Sequence, residues 1–269
     1  MKTVAGLMNL AGRKALITGA AGHIGIVLAE TMVELGADVI LVDRPGTDYQ
    51  SVIRALETQA GPTINRITMI DCDLESQSAR EQLTARIVAS GQLDILINNA
   101  AFVGTADLAG WSVPFHLQTV DTWRRAVEVN LTAVFDLCKG LAPLLQHNHR
   151  GSIINVASIY GAWGPDYSLY EGTTLGNPAA YAASKGGLIQ LSRWLATTLA
   201  PHVRVNTITP GGVFRHQPAS FVERYCAKTP LGRMATEDDF RGAAAYLASD
   251  LSAYVTGHNL CVDGGWGAW

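Results

Sequence analysis

The stretch Lys14-Ala15-Leu16-Ile17-Thr18-Gly19-Ala20-Ala21-Gly22-His23-Ile24-Gly25 decides the fold class. Its first five residues, KALIT, are mostly apolar, as in a strand covered on both faces. Thr18 passes without a spacer into Gly19, and glycines recur at 22 and 25. A helical pattern follows over residues 24–35. Strand, glycine-rich turn and helix start in direct succession form the context a dinucleotide-binding turn needs. Glycines there allow a tight turn and close backbone approach to a pyrophosphate. The helix start adds unpaired N–H groups and a positive dipole end. A glycine turn can also serve packing alone, so the flanking sequence has to decide.

Outward from that turn, short apolar runs alternate with longer helical patterns. Strands are predicted over residues 38–42, 66–70, 93–97, 152–156, 203–208 and 259–262. Helices are predicted over 51–59, 76–89, 120–145 and 179–199. This alternation implies right-handed crossovers. The expected architecture is a single α/β domain over residues 1–269, a Rossmann fold. It is a doubly wound parallel sheet of about seven strands with helices on both faces. No internal repeat or Pro/Ser-rich linker divides the chain.

Composition narrows the function classes. Hydrophobic residues at 48% and charged residues at 16% support a sizeable core, which argues against disorder. Twenty Lys+Arg against 23 Asp+Glu give a net charge of −3. Such a chain has no basic field for a nucleic-acid backbone. No apolar run approaches the ~18 residues that suggest a membrane span. The N-terminal apolar stretch is too short for a secretory leader. Cys72, Cys138, Cys226 and Cys261 form no CxxC pair. They read as reduced structural thiols of a cytoplasmic protein. His147 and His149 flank one residue beside Arg150, a solvated helix end in preference to a metal pair. No metal site is expected.

Two acidic residues extend the reading of the turn. Asp43 ends the second strand, 18 residues after Gly25. A carboxylate there can accept hydrogen bonds from the adenosine ribose and would repel a 2′-phosphate. NAD is therefore expected in preference to NADP, with Arg44 the reservation because it could meet a phosphate. A cap for the Pro45-Gly46 turn is the alternative role for Asp43. Asp73 with Leu74, after the third strand, would lie near the adenine or cap a helix.

With these residues placed, the whole chain resembles a short-chain dehydrogenase/reductase of the single-domain branch. The likeness rests on Asn98-Asn99-Ala100-Ala101, Asn130, Ser158, Tyr181-Ala182-Ala183-Ser184-Lys185, Pro210-Gly211 and Val262-Asp263-Gly264-Gly265, in that order. It implies cofactor contacts from Gly19, Gly22, His23, Ile24, Gly25, Asn99, Ala100, Pro210, Gly211 and Val213, as well as from Tyr181 and Lys185. It implies a catalytic set of Asn130, Ser158, Tyr181 and Lys185. Tyr181 and Lys185 stand four apart, so one helix face carries both. A free phenol titrates near pH ~10 and is a poor base at neutrality. A nearby ammonium and the positive ring of an oxidised nicotinamide would favour its phenolate. Tyr181 would then remove a hydroxyl proton as hydride leaves carbon, and Ser158 would hold the reacting oxygen. By the resemblance, Lys185 also binds the nicotinamide ribose, and Asn130 supports a water-linked proton relay.

The chain departs from the family pattern twice. His23 stands where the single-domain branch has glycine. Ser158 and Tyr181 are 23 positions apart, wider than is usual in the family. The added segment, residues 161–172, is rich in aromatic and polar side chains. Substrate loops are expected near 102–117, 159–178 and 211–227. Ser158, Trp163, Tyr170, Arg215 and His216 are the substrate-binding candidates. A subunit-contact loop is the alternative for 161–172. The mixture suits a small, polar, sugar-like substrate, since rings stack on apolar ring faces and acids bind hydroxyls. A weaker likeness, around Tyr170-Glu171-Gly172 and Gly176-Asn177-Pro178, is to members of flagellin-modification and acidic-sugar pathways. The expected activity is NAD-dependent interconversion of a secondary alcohol and a ketone. The rivals are reduction of 3-oxoacyl thioesters or other apolar ketones, and a nucleotide-sensing protein without turnover. The resemblance also implies a homo-oligomer, a tetramer, with Trp266 and Trp269 in a subunit contact.

Overall fold

The computed structural model describes residues 2–60, 67–103, 108–147, 149–173 and 175–269, the side chains of 58–60 excepted. Residue 66 of the predicted third strand, 104–107 of the first expected substrate loop and 174 of the second lie outside the described residues.

Seven strands form one parallel sheet: β1 (Lys14–Thr18), β2 (Asp38–Asp43), β3 (Ile67–Asp71), β4 (Ile95–Asn98), β5 (Gly151–Val156), β6 (Val203–Pro210) and β7 (Asn259–Val262). Their spatial order is β3-β2-β1-β4-β5-β6-β7, and every pairing is parallel. The order reverses direction between β1 and β4, which opens a crevice at the carboxyl ends of those strands.

Side-chain alternation explains why both faces are covered. Along β1, β2 and β4, Ile17, Leu41 and Ile97 point into one core, and Leu16, Ile40 and Leu96 into the other. A strand feeding two cores must be apolar at nearly every position, as KALIT and DVILV are. The first core is closed by Leu28 and Met32 of α2 (His23–Glu34), Leu56 of α3 (Tyr49–Ala60) and Leu247 of α10 (Arg241–Ala248). The second is closed by Leu83 of α4 (Gln77–Ala89), Leu141 of α6 (Ala133–His147) and Leu188 of α8 (Ala179–Thr198). Each such side chain contributes about 1.5–3 kcal/mol by leaving water. A short α1 (Val4–Met8) precedes the sheet. The helices α7 (Ile159–Ala162) and α9 (Ala219–Lys228) stand on the substrate side.

The helix expected over 120–145 is interrupted. It runs as α5 (Val120–Val127), passes through a π-type turn over Glu128–Thr132, and resumes as α6. Buried Arg80 explains how the turn is held. Its guanidinium pairs with Glu128, the first residue of the turn, at 2.8 Å and with Asp136, one turn beyond it, at 3.0 Å. It also donates to the Leu74 carbonyl at 2.7 Å. The turn places Asn130 fully inside the protein.

Candidate active site

The crevice at the β1–β4 switch point is about 820 Å³. Gly19, Gly22, Asp43, Asp73, Leu74, Asn99 and Ala100, all expected at the cofactor, line it together. Gly19 adopts φ +63°, and a Cβ there would stand 2.7 Å from Ala100 Cα. A Cβ on Gly25 would fall 2.0 Å from the Gly19 carbonyl oxygen. Only glycine fits either place, so the turn can pass close under α2. Asn99 secures it from β4, its amide donating to the carbonyls of Thr18 and Gly19 at 3.1 and 2.9 Å. Gly22 caps α2 without any side-chain hydrogen bond, which leaves the first N–H groups of the helix to the crevice. These donors, and the space that absent Cβ atoms leave, fit a pyrophosphate.

His23 does not disturb this geometry. It is the first residue of α2, its imidazole is exposed, and Nδ1 lies 3.7 Å from Glu237. Ile24 packs on the first core. The Asp43 carboxylate is fixed at the far end, accepting from Ala21 N at 2.9 Å and Arg44 N at 2.8 Å. Tyr49, which the sequence reading passed over, sets the end of β2. Its hydroxyl accepts from Asp43 N and donates to the Ile70 carbonyl. Asp73 accepts from Glu75 N, while Ser76 caps α4, so the helix-cap alternative for Asp73 falls. Pro210 ends β6, Gly211 N donates to the Val262 carbonyl, and Val213 bridges to Ala235. Asn98 is buried and donates to Asn155 Oδ1 at 2.8 Å, tying β4 to β5.

The four residues of the expected catalytic set converge at the end of β5. Ser158 caps α7 and accepts from Tyr160 N at 3.2 Å. Lys185 is 2% exposed, and its ammonium donates to the Val156 carbonyl at 2.7 Å. It stands 5.9 Å from the centre of the Tyr181 ring. Asn130 reaches the same place: its amide donates to Ser184 Oγ at 3.0 Å, and its carbonyl accepts from Phe102 N at 2.6 Å. A Cβ on Gly161 would fall 2.6 Å from the Lys185 carbonyl carbon, so that glycine lets α7 lie against α8.

Burial dominates the electrostatics of the pair in the protein by itself. Burial raises the Tyr181 phenol above its ordinary value, and a hydrogen bond with Ser158 only partly offsets that rise. Burial also lowers the Lys185 ammonium to about 8. The lysine's proton is directed at the Val156 carbonyl, and the phenol is therefore not acidified in the protein by itself.

The substrate side is more divided than expected. Tyr170 belongs to an aromatic cluster with Tyr160, Phe221, Tyr225 and Trp266. The hydroxyls of Tyr160 and Tyr170 are 2.5 Å apart. Trp163 turns away to the tail, where a Cβ on Gly267 would meet its ring at 2.1 Å. Arg215 pairs with Glu237 at 2.6 Å, the same carboxylate that His23 approaches. His216 is exposed and lies edge-on to Phe214. Trp266 stacks on Tyr225 at 4.5 Å and 13°, a pocket contact within the chain. Trp269 is exposed. Tyr160 and Asn177, which the sequence analysis did not single out as candidates, stand two positions after Ser158 and four before Tyr181.

The four cysteines are free. Burial pushes Cys72 up to about 11 and Cys138 up to about 12, so neither is a nucleophile at neutral pH. Among the described residues, no cluster of three His, Cys, Asp or Glu has metal-binding geometry, and no helix is long and apolar enough to cross a membrane.

A family model described as Enoyl-(Acyl carrier protein) reductase matches residues 19–267. The cis-4-hydroxycyclohexanecarboxylate dehydrogenase of Sinomonas cyclohexanicum is 34% identical over 265 residues, covering 96% of this chain and 98% of that one. A short-chain dehydrogenase from Leptospira borgpetersenii with bound NAD+ is 33% identical with a TM-score of 0.82, covering 99% of this chain and 96% of that one. A putative NAD(P)-dependent gluconate 5-dehydrogenase from Beutenbergia cavernae, with bound NADP at low occupancy, is 31% identical with a TM-score of 0.84. It covers 98% of this chain and 100% of that one. The chain belongs to the short-chain dehydrogenase/reductase family, whose fold and ordered motifs it carries throughout. It is an NAD(P)-dependent enzyme acting on CH–OH groups.

Proposed function

We propose that this enzyme interconverts a secondary alcohol and its ketone with NAD in preference to NADP, on a polar, ring-bearing, sugar-like substrate. The observation that carries this reading is the Lys185 ammonium held on the Val156 carbonyl at 2.7 Å and 5.9 Å from the Tyr181 ring, at the carboxyl end of β5 where Ser158 caps α7, in a chain whose glycine turn, Asp43 and Asn99 line a dinucleotide crevice. When bound, the nicotinamide accepts the hydride from the alcohol carbon or returns it to the ketone. Tyr181 moves the matching proton, taking it from the alcohol in oxidation and giving it to the ketone in reduction. Ser158 donates to the reacting oxygen and fixes its distance from the phenol. Lys185, held by the Val156 carbonyl, would add its charge to that of an oxidised nicotinamide in favouring phenolate and would hold the nicotinamide ribose. Asn130 braces α8 through Ser184, where it would support a water-linked proton relay.

The Asp43 carboxylate at the adenosine end supports NAD: it would accept from ribose hydroxyls and repel a 2′-phosphate. The tyrosine-rich wall supports a hydroxylated ring over the acyl chain of a 3-oxoacyl thioester. The intact Ser158, Tyr181 and Lys185 argue against a nucleotide sensor without turnover. The chain is read as one domain over 1–269 with substrate loops near 102–117, 159–178 and 211–227. It is further read as a cytoplasmic homo-oligomer, a tetramer, of carbohydrate metabolism. Incubation with NAD+ and a panel of ring alcohols and sugars, followed by absorbance of the reduced nicotinamide, tests the reading. Reduced cofactor should accumulate with hydroxylated rings. Turnover confined to 3-oxoacyl thioesters would replace this substrate class with the acyl one.

A further inference from the structure

The segment between the added loop and α8 holds a polar group without a partner. Asn177 is 7% exposed, yet neither its amide nitrogen nor its carbonyl oxygen makes a hydrogen bond of ordinary length and angle. Its amide nevertheless lies close enough to Tyr170 to lower that phenol's pKa against a larger rise from burial. Leaving such a buried group unpaired costs about 1–3 kcal/mol.

The position of Asn177 is fixed by its neighbours. Pro178 caps α8, and its carbonyl accepts from Tyr181 N at 3.0 Å. Ala179 N donates to Gln118 Oε1 at 3.0 Å, and a Cβ on Gly176 would stand 2.9 Å from Ser112 Oγ. Asn177 is thus held rigidly, four residues ahead of the proton-transferring phenol.

A second polar pair faces it. Tyr160 and Tyr170 share one hydrogen bond, which uses one of their two hydroxyl protons. Tyr160 N in turn donates to Ser158 Oγ at 3.2 Å, which sets the pair beside the expected catalytic serine. The polar groups therefore run from Ser158 through Tyr160 and Tyr170 towards Asn177, against the apolar rings of Phe221 and Tyr225. Nearby cations are engaged elsewhere. Lys228 contacts Asp166 and Ser168, and Arg224 donates to the carbonyls of Leu169 and Glu171.

We propose that Asn177, with the Tyr160–Tyr170 pair, is a specificity subsite that reads a second, neutral hydroxyl of the substrate, apart from the oxygen held by Ser158 and Tyr181. The claim rests on the alcohol-dehydrogenase reading above and narrows its substrate class to ring diols and polyols. The chemistry selects the ligand group. Asn177 offers one acceptor and one donating amine. A carboxylate only accepts, so it would leave the Asn177 carbonyl facing negative oxygen. A methylene satisfies neither atom. A hydroxyl both donates and accepts, and it needs no cation.

The test compares NAD+-dependent oxidation of cyclohexanol with that of the cis and trans 1,2-, 1,3- and 1,4-cyclohexanediols. The wild-type protein should prefer its best diol over cyclohexanol by about tenfold or more in kcat/KM. Asn177→Leu should remove most of that preference, lowering the diol's kcat/KM by about tenfold while leaving cyclohexanol within about threefold. NAD+ affinity should stay unchanged. Tyr170→Phe provides a second variant should Asn177→Leu fail to fold, and it should shift the same ratio in the same direction. Equal turnover of cyclohexanol and every diol overturns the subsite and leaves the dehydrogenase reading standing. So does an unchanged ratio in a folded variant. Turnover of no ring alcohol, by protein that binds NAD+, overturns the ring-alcohol reading and the subsite with it.

Discussion

The cofactor half and the substrate half of the crevice are built from different materials. The first is made of strand ends, glycine turns and backbone N–H groups, with Asp43 and Asn99 locked to main-chain atoms. The second is made of aromatic side chains, Tyr160 of α7, Tyr170 of the 161–172 segment, Phe221 and Tyr225 of α9 and Trp266 of the tail. A phosphate is met by any properly placed amide row, so backbone suffices on one side. A particular alcohol must be distinguished from its neighbours, so the other side uses side chains whose donors and acceptors can be matched. Tyr181 and Lys185 stand at the boundary and belong to both.

Substitutions should respect that division. The largest effect is expected at the boundary. Tyr181→Phe should lower kcat by about 10²–10⁴-fold, with NAD affinity within about twofold by fluorescence titration. Retained turnover would remove the phenol from proton transfer. On the cofactor side, Asp43→Ala should reduce the ratio of kcat/KM for NAD over NADP by about tenfold or more, with KM for the alcohol little changed. An unaltered ratio would reject Asp43 as the selector. On the substrate side, deleting residues 164–172 should raise KM for the best ring alcohol several-fold and leave cofactor affinity alone. A change in NAD affinity instead would break the separation of the two halves.

The smallest effect is on stability. The folded-state value of Lys185 is lowered to about 8 from its usual 10.5. Between those pH values the unfolded chain binds the extra proton, so rising pH favours the folded state through this group. Below pH 8 both states are protonated, and the burial penalty is constant. The cofactor-free wild type should therefore gain stability relative to Lys185→Met as pH rises from about 8 to 10.5. Urea midpoints across that range measure the difference, and subtracting the variant removes the opposing contribution of the buried thiols. A flat difference would contradict the lowered ammonium.

Local signals carried the cofactor half. KALIT and DVILV are apolar because each feeds two cores, and Gly25 is fixed by the Gly19 carbonyl within the same turn. Such causes lie within a few residues of their effects. The substrate half depends on chain segments that meet only after folding. Trp163 was expected in the pocket but packs on Gly267, about a hundred positions away. Arg215, equally suited to a substrate anion, is taken by Glu237. The break in the long helix is braced by Arg80, a residue with no motif of its own. Asn177 precedes a proline at a helix start and looks like an ordinary turn residue; its unpaired amide is visible only in three dimensions.

The most direct measurement is a titration of the Tyr181 phenol by ultraviolet difference absorbance, with Tyr181→Phe as the blank. In cofactor-free protein the phenolate should appear only above the ordinary tyrosine range, as burial dictates. With saturating NAD+ it should appear at distinctly lower pH, because the positive ring and Lys185 then act on it together. The same titration curve with and without NAD+ would contradict the account.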